Sequence, residues 1–313
     1  MEREKRKSAT LYRQLCRQLR WDEIDPAHLR QLIALARDED LKGAGLAGRQ
    51  SEAGDLSTGI LESSGWGKAL LVARAEMVVC GLPLVPLILQ AYGPDVALET
   101  ALDEGERVKA GTALGRVLGP PKTLLQAERV LLNFLQMLCG VATHTAAHVA
   151  ALGDTDTKLL DTRKTTPGFR ALEKYAVGCG GGWNHRMGLF DRVMLKDNHL
   201  QAGQSAEGEG LERLINKARA LNPGMIVEVE VDQPEQITPA LKAGADVILL
   251  DNFPMEALRE AVSLIGDAAF TEASGGVTLE NLPEMAGLGL DFISCGGLVH
   301  QSRWKDIGLD WEF

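Results

Sequence analysis

The chain has 313 residues, 45% of them hydrophobic and 24% charged, and a formal net charge of −10. This length suggests two domains, and this composition is that of an ordinary globular protein, which excludes a disordered, collagenous or low-complexity chain. The negative charge disfavours nonspecific binding to nucleic acid or to a membrane surface, so a small anionic ligand would need a local basic cluster.

Five cysteines occur without a Cys-x-x-Cys pair, and this spacing argues against a disulfide framework and against a zinc site. The longest apolar run, residues 77–89, contains two prolines and is too short to cross a bilayer. The charged residues at the N-terminus are not followed by the apolar segment of a secretory signal. We therefore expect a cytoplasmic protein with reduced thiols.

The N-terminal part of the chain is predicted to begin with two helices, over residues 10–20 and 25–37. The Gly-, Ala- and Ser-rich residues 41–59 are interpreted as a mobile loop. Strand patterns follow within residues 69–79 and 95–119, punctuated by glycines that are typical of hairpins.

From residue 120 the pattern changes. A long helix is predicted to run to about residue 152, because its leucines recur at helical spacing. After it, short apolar strands alternate with helical stretches, which is typical of β/α units around a parallel sheet or barrel. These strands are predicted at residues 158–160, 192–195, 225–231, 247–250, 269–271 and 292–294. The predicted fold class is therefore α/β.

A polar or glycine cluster stands at or after the end of each predicted strand. In barrel enzymes the active site lies at the carboxyl ends of the strands, so these clusters predict a site there. The clusters are Asp161 to Lys164, Lys196 to His199, Glu228 with Glu230, Asp251 with Asn252, Glu272 to Gly276, and Gly296 with Gly297.

Residues 158–199 contain eight lysines and arginines but only four aspartates and glutamates, a surplus of +4 within an acidic chain. Arginine binds a carboxylate or phosphate through two hydrogen bonds, and lysine adds a compact charge. Arg163-Lys164 and His185-Arg186 therefore suit a small molecule with more than one carboxylate. Any one of these charged residues, taken alone, is equally consistent with an ordinary solvent-exposed side chain that binds no ligand.

Carboxylates follow on the next two strands. Glu228 and Glu230 are two residues apart and share one side of a strand, which we expect to face the barrel mouth while the intervening valines face the helices. Asp251 adds a carboxylate after the following strand, and the set suits Mg²⁺ together with ribose hydroxyls. Taken alone, Asp251 is equally consistent with a helix cap.

Two glycine pairs follow the last two strands. Ser274-Gly275-Gly276 and Gly296-Gly297 stand where barrels hold phosphate on backbone N–H groups, although a single Gly-Gly pair also forms an ordinary turn. By contrast, the glycines within residues 178–182 follow a helix rather than a strand, so they do not match a dinucleotide-binding fingerprint.

Together these motifs resemble the quinolinate phosphoribosyltransferase family over about residues 120–300. The matching segments are residues 127–133, 161–170, 173–177, 180–191, 196–199, 227–231, 243–252, 272–276 and 296–300. The resemblance implies an open, TIM-like parallel α/β barrel with an N-terminal α/β sandwich domain. Residues 1–120 would close the site of a partner subunit, and residues 121–313 would form the catalytic barrel, with a return of the last residues to the N-terminal domain left open.

The resemblance also implies roles for the candidate residues. Quinolinate would be bound by Arg163, Lys164, His185, Arg186 and Lys196, and by Arg129 reaching across a head-to-tail homodimer, alone or within a larger assembly. Phosphoribosyl pyrophosphate would be bound by Glu230, Asp251, Ser274, Gly275, Gly276, Gly296 and His300. Glu230 and Asp251 would also hold Mg²⁺, partly through water and substrate, and these two residues and Lys164 would be catalytic.

The implied reaction transfers a phosphoribosyl group to the quinolinate nitrogen with loss of CO₂, giving nicotinate mononucleotide and pyrophosphate in NAD biosynthesis, with Mg²⁺ as the cofactor. Three alternatives remain open. They are a related phosphoribosyltransferase that uses another base, a barrel aldolase with Lys196 as its Schiff-base amine, and a regulatory binder without activity.

Overall fold

The structure, a computed structural model, describes residues 7–48, 51, 54–62, 65–196 and 209–312. By packing, the chain divides into two units that alternate along the sequence. The described residues within 1–18, 147–165 and 182–300 form the parallel-sheet unit, and those within 19–146, 166–181 and 301–313 form the antiparallel-sheet unit. The predicted domain boundary after residue 120 stays a prediction.

The helices and strands of the described residues are as follows. The helices are α1 Ala9–Leu15, α2 Pro26–Lys42, α3 Leu56–Gly59, α4 Leu84–Tyr92, α5 Pro121–Ala151, α6 Arg170–Cys179, α7 Glu209–Leu221, α8 Ile237–Ala243, α9 Met255–Ile265, α10 Leu282–Ala286 and α11 Gly297–His300. The strands are β1 Gly67–Ala73, β2 Met77–Val78, β3 Ala97–Glu99, β4 Arg107–Val108, β5 Ala113–Gly119, β6 Lys158–Leu160, β7 Val193–Leu195, β8 Val227–Val231, β9 Val247–Asp251, β10 Phe270–Ser274, β11 Phe292–Ser294 and β12 Ile307–Glu312.

The parallel-sheet unit is built on six strands in the order β6-β11-β10-β9-β8-β7. Every neighbouring pair is parallel, so the carboxyl ends of all six strands lie at one edge of the sheet. Each strand predicted after residue 152 overlaps one of these six. The α/β class with a parallel sheet is confirmed.

Helix α1 packs at the amino-terminal edge of this sheet. Its Leu15 is fully buried in a cluster with the first residues of three strands, Val247, Phe270 and Phe292. Tyr12, one turn earlier, stacks on Phe292 with 6.1 Å between ring centroids. Apolar side chains of α1 therefore cover the starts of β9, β10 and β11.

We expect Leu15→Ala to lower the free energy of unfolding by about 2–5 kcal/mol, because a fully buried side chain is replaced by a cavity. Leu11→Ala is the matched control, since Leu11 lies on the same helix but is only partly buried, and its effect is expected to be smaller. Urea-induced unfolding followed by circular dichroism measures both. Equal losses would show that Leu15 does not anchor α1.

The antiparallel-sheet unit contains a four-stranded sheet in the order β12-β1-β5-β3 and a small β2-β4 pair. Strand β1 is flanked by β5 on one side and by β12, the last strand of the chain, on the other, with Ala73 opposite Ile307. Helices α2 and α4 pack against each other in the same unit. This separate antiparallel sheet with helices is the α/β sandwich predicted for the N-terminal part.

Local sequence chemistry sets the ends of α2. The Asp25 carboxylate accepts a hydrogen bond from the Ala27 N–H at 2.9 Å, and the helix ends at Gly43, whose φ of +68° favours glycine. The segment interpreted as a mobile loop, residues 41–59, contains the short helix α3, begun in the same way by Asp55. Residues 49–50 and 52–53 of that segment lie outside the described residues.

Helix α5 spans 31 residues, as the leucine spacing predicts. By length and composition it is able to cross a membrane, with a mean hydropathy of 1.3 over its most apolar 18-residue window. However, 67% of that window is buried inside the protein. Such burial is typical of a core helix, and we interpret α5 as one.

Candidate active site

Predicted site residues from four neighbouring strands meet at the carboxyl edge of the parallel sheet. Ser274, the last residue of β10, lies opposite Asp251, the last residue of β9. On the next strand, Glu230 lies opposite Leu249, near the end of β8. Gly296 follows two residues after the end of β11. Glycines and carboxylates predicted from separate motifs are therefore close together in the fold.

Asp251 and the glycine turn at residues 274–276 are locked together through Asn252. The Asn252 N–H donates to the Ser274 carbonyl at 2.9 Å, and its side-chain amide donates to Asp251 Oδ2 at 2.9 Å. Gly275 has a φ of +93°, and a Cβ at this position would overlap Asn252 Oδ1. Glycine is therefore required at position 275, and the turn and the Asp251 carboxylate are held as one piece.

Close approach also explains the second glycine pair. A Cβ on Gly296 would lie 2.6 Å from Cδ of Lys164, so the lysine stem rests directly on this backbone. The turn that carries Lys164 is fixed because its N–H donates to Thr162 Oγ1 at 3.0 Å. Lys164 itself is exposed. The fold thus brings the Arg163-Lys164 motif next to the last glycine pair.

Positive charge is concentrated where Arg163 approaches Arg186. Arg186 is only 6% exposed, whereas Arg163 is exposed. Burial, and then the charge of Arg163, lower the pKa of the Arg186 guanidinium below its usual value. Two cations that repel each other are stabilised by a bound anion. A carboxylate, which arginine binds through paired hydrogen bonds, is suited to this place.

Lys196 and Glu230 form an ion pair between the ends of β7 and β8. The lysine side chain is 35% exposed and the glutamate side chain 13% exposed, so the pair is accessible from the carboxyl edge. A ligand bound at this edge would therefore contact a cation and a carboxylate whose positions relative to each other are fixed by their ion pair. A Schiff-base reaction at Lys196 would first have to break this ion pair.

The interior of the same unit contains a set of buried charges, the His185 network. His185 Nε2 is 3.2 Å from carboxylate oxygens of both Glu228 and Glu272, and Arg192 Nη1 is 2.8 Å from the other Glu228 oxygen. Asp161 accepts a hydrogen bond from the His185 N–H at 2.8 Å. All five residues are at most 6% exposed. The network therefore fixes both the ring and the backbone of His185, the residue before Arg186.

The prediction that Glu228 faces the barrel mouth beside Glu230 is wrong, because Glu228 is fully buried within the His185 network. The physical reason is the distance of each residue from the carboxyl edge of the sheet. Two residues along a strand span about 6.6 Å, so residues on the same side of a strand can lie in different layers of a barrel. Glu230 reaches the edge, whereas Glu228 lies one layer below it.

The network also sets the charge of His185. Burial opposes a charge on the ring, but attraction by Glu272 and Glu228 outweighs it and raises the pKa to about 9. In Glu228, the opposing effect of burial is outweighed by His185 and Arg192, which hold the pKa of the carboxyl well below its usual range. At neutral pH, His185 is therefore an imidazolium paired with carboxylates.

This pairing predicts a pH-dependent stability. The folded-state pKa of His185 lies above its ordinary value of 6.5, so its contribution is complete below about pH 6.5 and is lost as the pH rises through about 9. We expect the free energy of unfolding to fall by about 3 kcal/mol from this group over that interval. Urea unfolding of His185→Gln is expected to give a flatter pH profile. Parallel profiles for the variant and the wild type would contradict the assignment.

Carboxylates suited to a metal ion stand at the edge. Glu230 and Asp251 offer oxygen ligands from neighbouring strands, which is the donor type that Mg²⁺ prefers, and both are partly exposed, so water and substrate can complete the shell. The His185 network also places three potential ligand atoms within 4.8 Å of one another. There, however, Arg192 Nη1 lies 3.2 Å from the ring Nε2, so a guanidinium already occupies the space.

The remaining predicted residues lie elsewhere or outside the described part. Arg129 is exposed on α5, in the antiparallel-sheet unit. His300 is exposed at the end of α11, the helix that begins directly after Gly296. Residues 197–199, which belong to the motif that starts at Lys196, lie outside the described residues.

The sequence placed Asp161 and Glu272 within clusters at strand ends and did not single out Arg192, and it did not predict that these three residues contact His185. A signal was available for Glu272, which lies in the middle of an otherwise uncharged strand, β10. A charged side chain within a buried strand needs a buried partner, so its presence predicts a charge network. The sequence does not indicate which partner this would be.

A cavity of about 490 Å³ opens at the other side of the same unit. It is lined by the end of α1, residues 184–187 and 191–192, and residues 224–226 before β8. The cavity reaches His185 and Arg186 from the amino-terminal side of the sheet. The candidate site is therefore defined by the residues at the strand ends rather than by this cavity.

The chain resembles known proteins along most of its length. A family profile described as the C-terminal domain of quinolinate phosphoribosyl transferase matches residues 141–310, and a profile of the N-terminal domain matches residues 55–139. A probable nicotinate-nucleotide pyrophosphorylase (carboxylating) of Bacillus subtilis strain 168 is 40% identical over 257 residues, covering 82% of this chain and 88% of the relative.

A plant protein and a solved structure extend the resemblance. Quinolinate phosphoribosyltransferase (decarboxylating) 1b of Nicotiana tabacum is 35% identical over 294 residues, and the alignment covers 86% of this chain and 82% of the tobacco protein. The structure of the nicotinate-nucleotide pyrophosphorylase from Francisella tularensis superposes with a TM-score of 0.85 at 32% identity, covering 95% of this chain and 100% of that one. The similarity therefore includes both units.

Proposed function

This chain belongs to the quinolinate phosphoribosyltransferase family, and we propose that it transfers the phosphoribosyl group of phosphoribosyl pyrophosphate to the nitrogen of quinolinate. The products would be nicotinate mononucleotide, pyrophosphate and CO₂, a step of NAD biosynthesis. The observation that carries the proposal is the interlocked Asp251, Asn252 and Gly275 at the carboxyl edge. A glycine turn after a late strand offers backbone N–H groups to a phosphate, and the carboxylate held beside it can accept hydrogen bonds from sugar hydroxyls, so the pair suits a phosphorylated sugar.

Quinolinate carries two carboxylates, and the cations at the edge are suited to them. Arg163 and Arg186 repel each other in the free protein, so a carboxylate placed at them relieves that repulsion. The ammonium groups of Lys164 and Lys196 add positive charge, and His185, buried directly before Arg186, would be a further contact of quinolinate. This set accounts for a surplus of +4 in residues 158–199 of an acidic chain.

The sugar and its phosphates would occupy the strand ends. Glu230 and Asp251 would hold the ribose hydroxyls, and backbone N–H groups at Gly275, Gly276 and Gly296 would bind the 5′-phosphate together with two side chains, Ser274 and His300. Glu230 and Asp251 would also hold Mg²⁺, which when bound supplies charge neutralisation for the departing pyrophosphate.

The transfer step balances without a further cofactor. The bond from the sugar C1 to the pyrophosphate oxygen breaks with its electron pair leaving on pyrophosphate, and the ring nitrogen lone pair forms the new bond. Glu230 and Asp251 stabilise the positive charge that develops on the sugar, and Lys164 offsets negative charge on the substrates. The bond between ring carbon C2 and its carboxylate then breaks, and CO₂ leaves. The electron pair stays on C2, where the adjacent positive ring nitrogen stabilises it, and C2 takes up a proton from water.

The test is an assay of the purified chain with quinolinate, phosphoribosyl pyrophosphate and Mg²⁺, read out as nicotinate mononucleotide, pyrophosphate and CO₂. Formation of all three products is expected. Binding of quinolinate in calorimetry without turnover would indicate a regulatory binder, and comparable turnover with nicotinate would indicate a different base. Borohydride trapping of a carbonyl compound on Lys196 would favour the aldolase alternative.

The proposal includes a homodimer with shared sites, in which Arg129 of one subunit binds quinolinate in its partner. It rests on the family resemblance and on the exposure of Arg129 on α5. Arg129→Ala and Lys164→Ala are each expected to be inactive but folded. If the sites are shared, mixed dimers of the two variants would regain up to about a quarter of wild-type activity, since half the dimers contain one intact site. No recovery on mixing would contradict the cross-subunit role.

A further inference from the structure

Three of the five cysteines come together in the antiparallel-sheet unit. Cys80 follows β2, Cys139 lies within α5, and Cys179 is the last residue of α6. Cys80 and Cys139 are buried, whereas Cys179 is half-buried. The cysteines at 80 and 179 are far apart in sequence, so only the fold brings them together.

A carboxylate stands between two of these thiols. Glu104 accepts hydrogen bonds from the backbone N–H groups of Gly81 and Leu82, at 2.8 and 2.9 Å, which holds it beside the Cys80 turn. Its Oε2 is 3.9 Å from the Cys179 thiol. The Cys80 sulfur lies within 4.8 Å of the Cys179 sulfur. One ligand atom from each of these three residues lies within 4.8 Å of the other two.

Local packing allows this approach. Gly105, next to Glu104, has a φ of +85°, and a Cβ there would lie 3.0 Å from the Cys179 carbonyl oxygen. A glycine at this position therefore lets the Glu104 loop approach the end of α6. Cys139 is not included in this group of ligands, because its sulfur already makes two hydrogen bonds to the Cys80 backbone. It accepts one from the Cys80 N–H at 3.3 Å and donates one to the Cys80 carbonyl at 3.4 Å.

We propose that Cys80, Glu104 and Cys179 form a binding site for a thiophilic divalent cation, with Zn²⁺ as the ion that suits this donor set. Tetrahedral zinc, with bonds of 2.0–2.3 Å, places its ligand atoms about 3.5–3.8 Å apart, so small side-chain rotations suffice. Each Glu104 oxygen can bind metal while still accepting its N–H, because a carboxylate oxygen has two lone pairs. Water would complete the shell.

The charges of the three residues favour a cation. The ionised forms of Cys80, Glu104 and Cys179 are all negative, and one ligand atom from each lies within 4.8 Å of the other two. A bound divalent cation stabilises these negative forms together, because thiol ligands bind a metal as thiolates and release their protons when it binds.

Metal binding would join three segments that are distant in sequence. These are the turn after β2, the loop between β3 and β4, and the end of α6. An ion that binds only the folded chain stabilises it by mass action. Zn²⁺ is therefore expected to raise the midpoint of thermal unfolding of the wild-type chain.

The test is a titration of the full chain with Zn²⁺ against a chromophoric chelator, with excess Mg²⁺ present to fill sites made only of oxygen ligands. We expect one Zn²⁺ per chain. Cys179→Ser and Cys80→Ser are expected to weaken binding at least about tenfold, since even residues that merely support metal ligands cost that much. Cys16→Ser is the matched control, because Cys16 is also a half-buried free thiol, and it should bind as the wild type does.

A second measurement does not depend on folding of the variants. Co²⁺ added to the wild-type chain is expected to give sulfur-to-cobalt charge-transfer absorption, which oxygen ligands do not produce. Lack of this absorption, equal Zn²⁺ affinity in all variants, or a Cys80–Cys179 disulfide found by mass spectrometry of the unreduced protein would each overturn the proposal.

Discussion

Glu228→Ala is expected to lower the free energy of unfolding by about 3–5 kcal/mol, a large share of the stability of a typical domain. The Glu228 carboxylate is fully buried, 2.8 Å from Arg192 and 3.2 Å from His185. Its removal leaves the Arg192 guanidinium in the interior without this partner. The cost is that of a buried guanidinium and a buried imidazolium that lose their hydrogen-bonded carboxylate, which exceeds the value of a hydrogen bond between neutral groups.

Glu230→Ala is the matched control for this prediction. Glu230 lies two residues further along the same strand, and its ion pair with Lys196 is partly exposed. Solvent screens such a pair, so the variant is expected to lose less than about 1 kcal/mol of stability. Urea unfolding of both variants measures the contrast. If they unfold at the same urea concentration, the His185 network does not determine stability.

Gly275→Ala is expected to lower kcat/KM by about 100-fold or more while the chain remains folded, because small displacements of a reacting group have effects of this size. The added methyl group would overlap Asn252 Oδ1, and Asn252 holds Asp251 through its side-chain amide. Relief of the overlap therefore shifts Asp251. Position 275 does not itself carry a side chain that could contact the sugar.

Gly276→Ala distinguishes this overlap from backbone strain. Gly276 also has a positive φ, +60°, but a Cβ there meets nothing within 4 Å among the described residues. Its loss of kcat/KM is expected to be clearly smaller than that of Gly275→Ala. Steady-state kinetics with varied phosphoribosyl pyrophosphate supply the comparison. Equal losses would mean that backbone strain, and not the Asn252 contact, causes the effect.

The carboxyl edge of the sheet is the part of the site that sequence predicts well. Buried parallel strands such as β9 are continuous apolar runs, and a polar residue at the end of each run is a local signal. Since the ends of parallel strands meet, Asp251 and Ser274 could be placed together before any coordinates were known. The spacing of leucines located α5 for the same reason, because helical periodicity is local.

Depth and long-range contacts could not be predicted in this way. Strand alternation places Glu228 and Glu230 on one side but does not tell which layer each occupies. The argument from cysteine spacing against a zinc site considers ligands from one segment. Cys80 and Cys179 approach each other only because α6 ends beside the Glu104 loop.

The pairing of β12 with β1 has a consequence for synthesis on the ribosome. Strand β1 lies within the first quarter of the sequence, but its partner β12 is translated only after all six strands of the parallel sheet. The six parallel strands are synthesised between them, so their sheet can form while one edge of β1 is still unpaired. An unpaired, apolar strand edge recruits other chains. A nascent chain that has not yet reached Ile307 would therefore leave one edge of β1 exposed, and a pause in translation before that residue would lengthen the time in which this edge can pair with other chains.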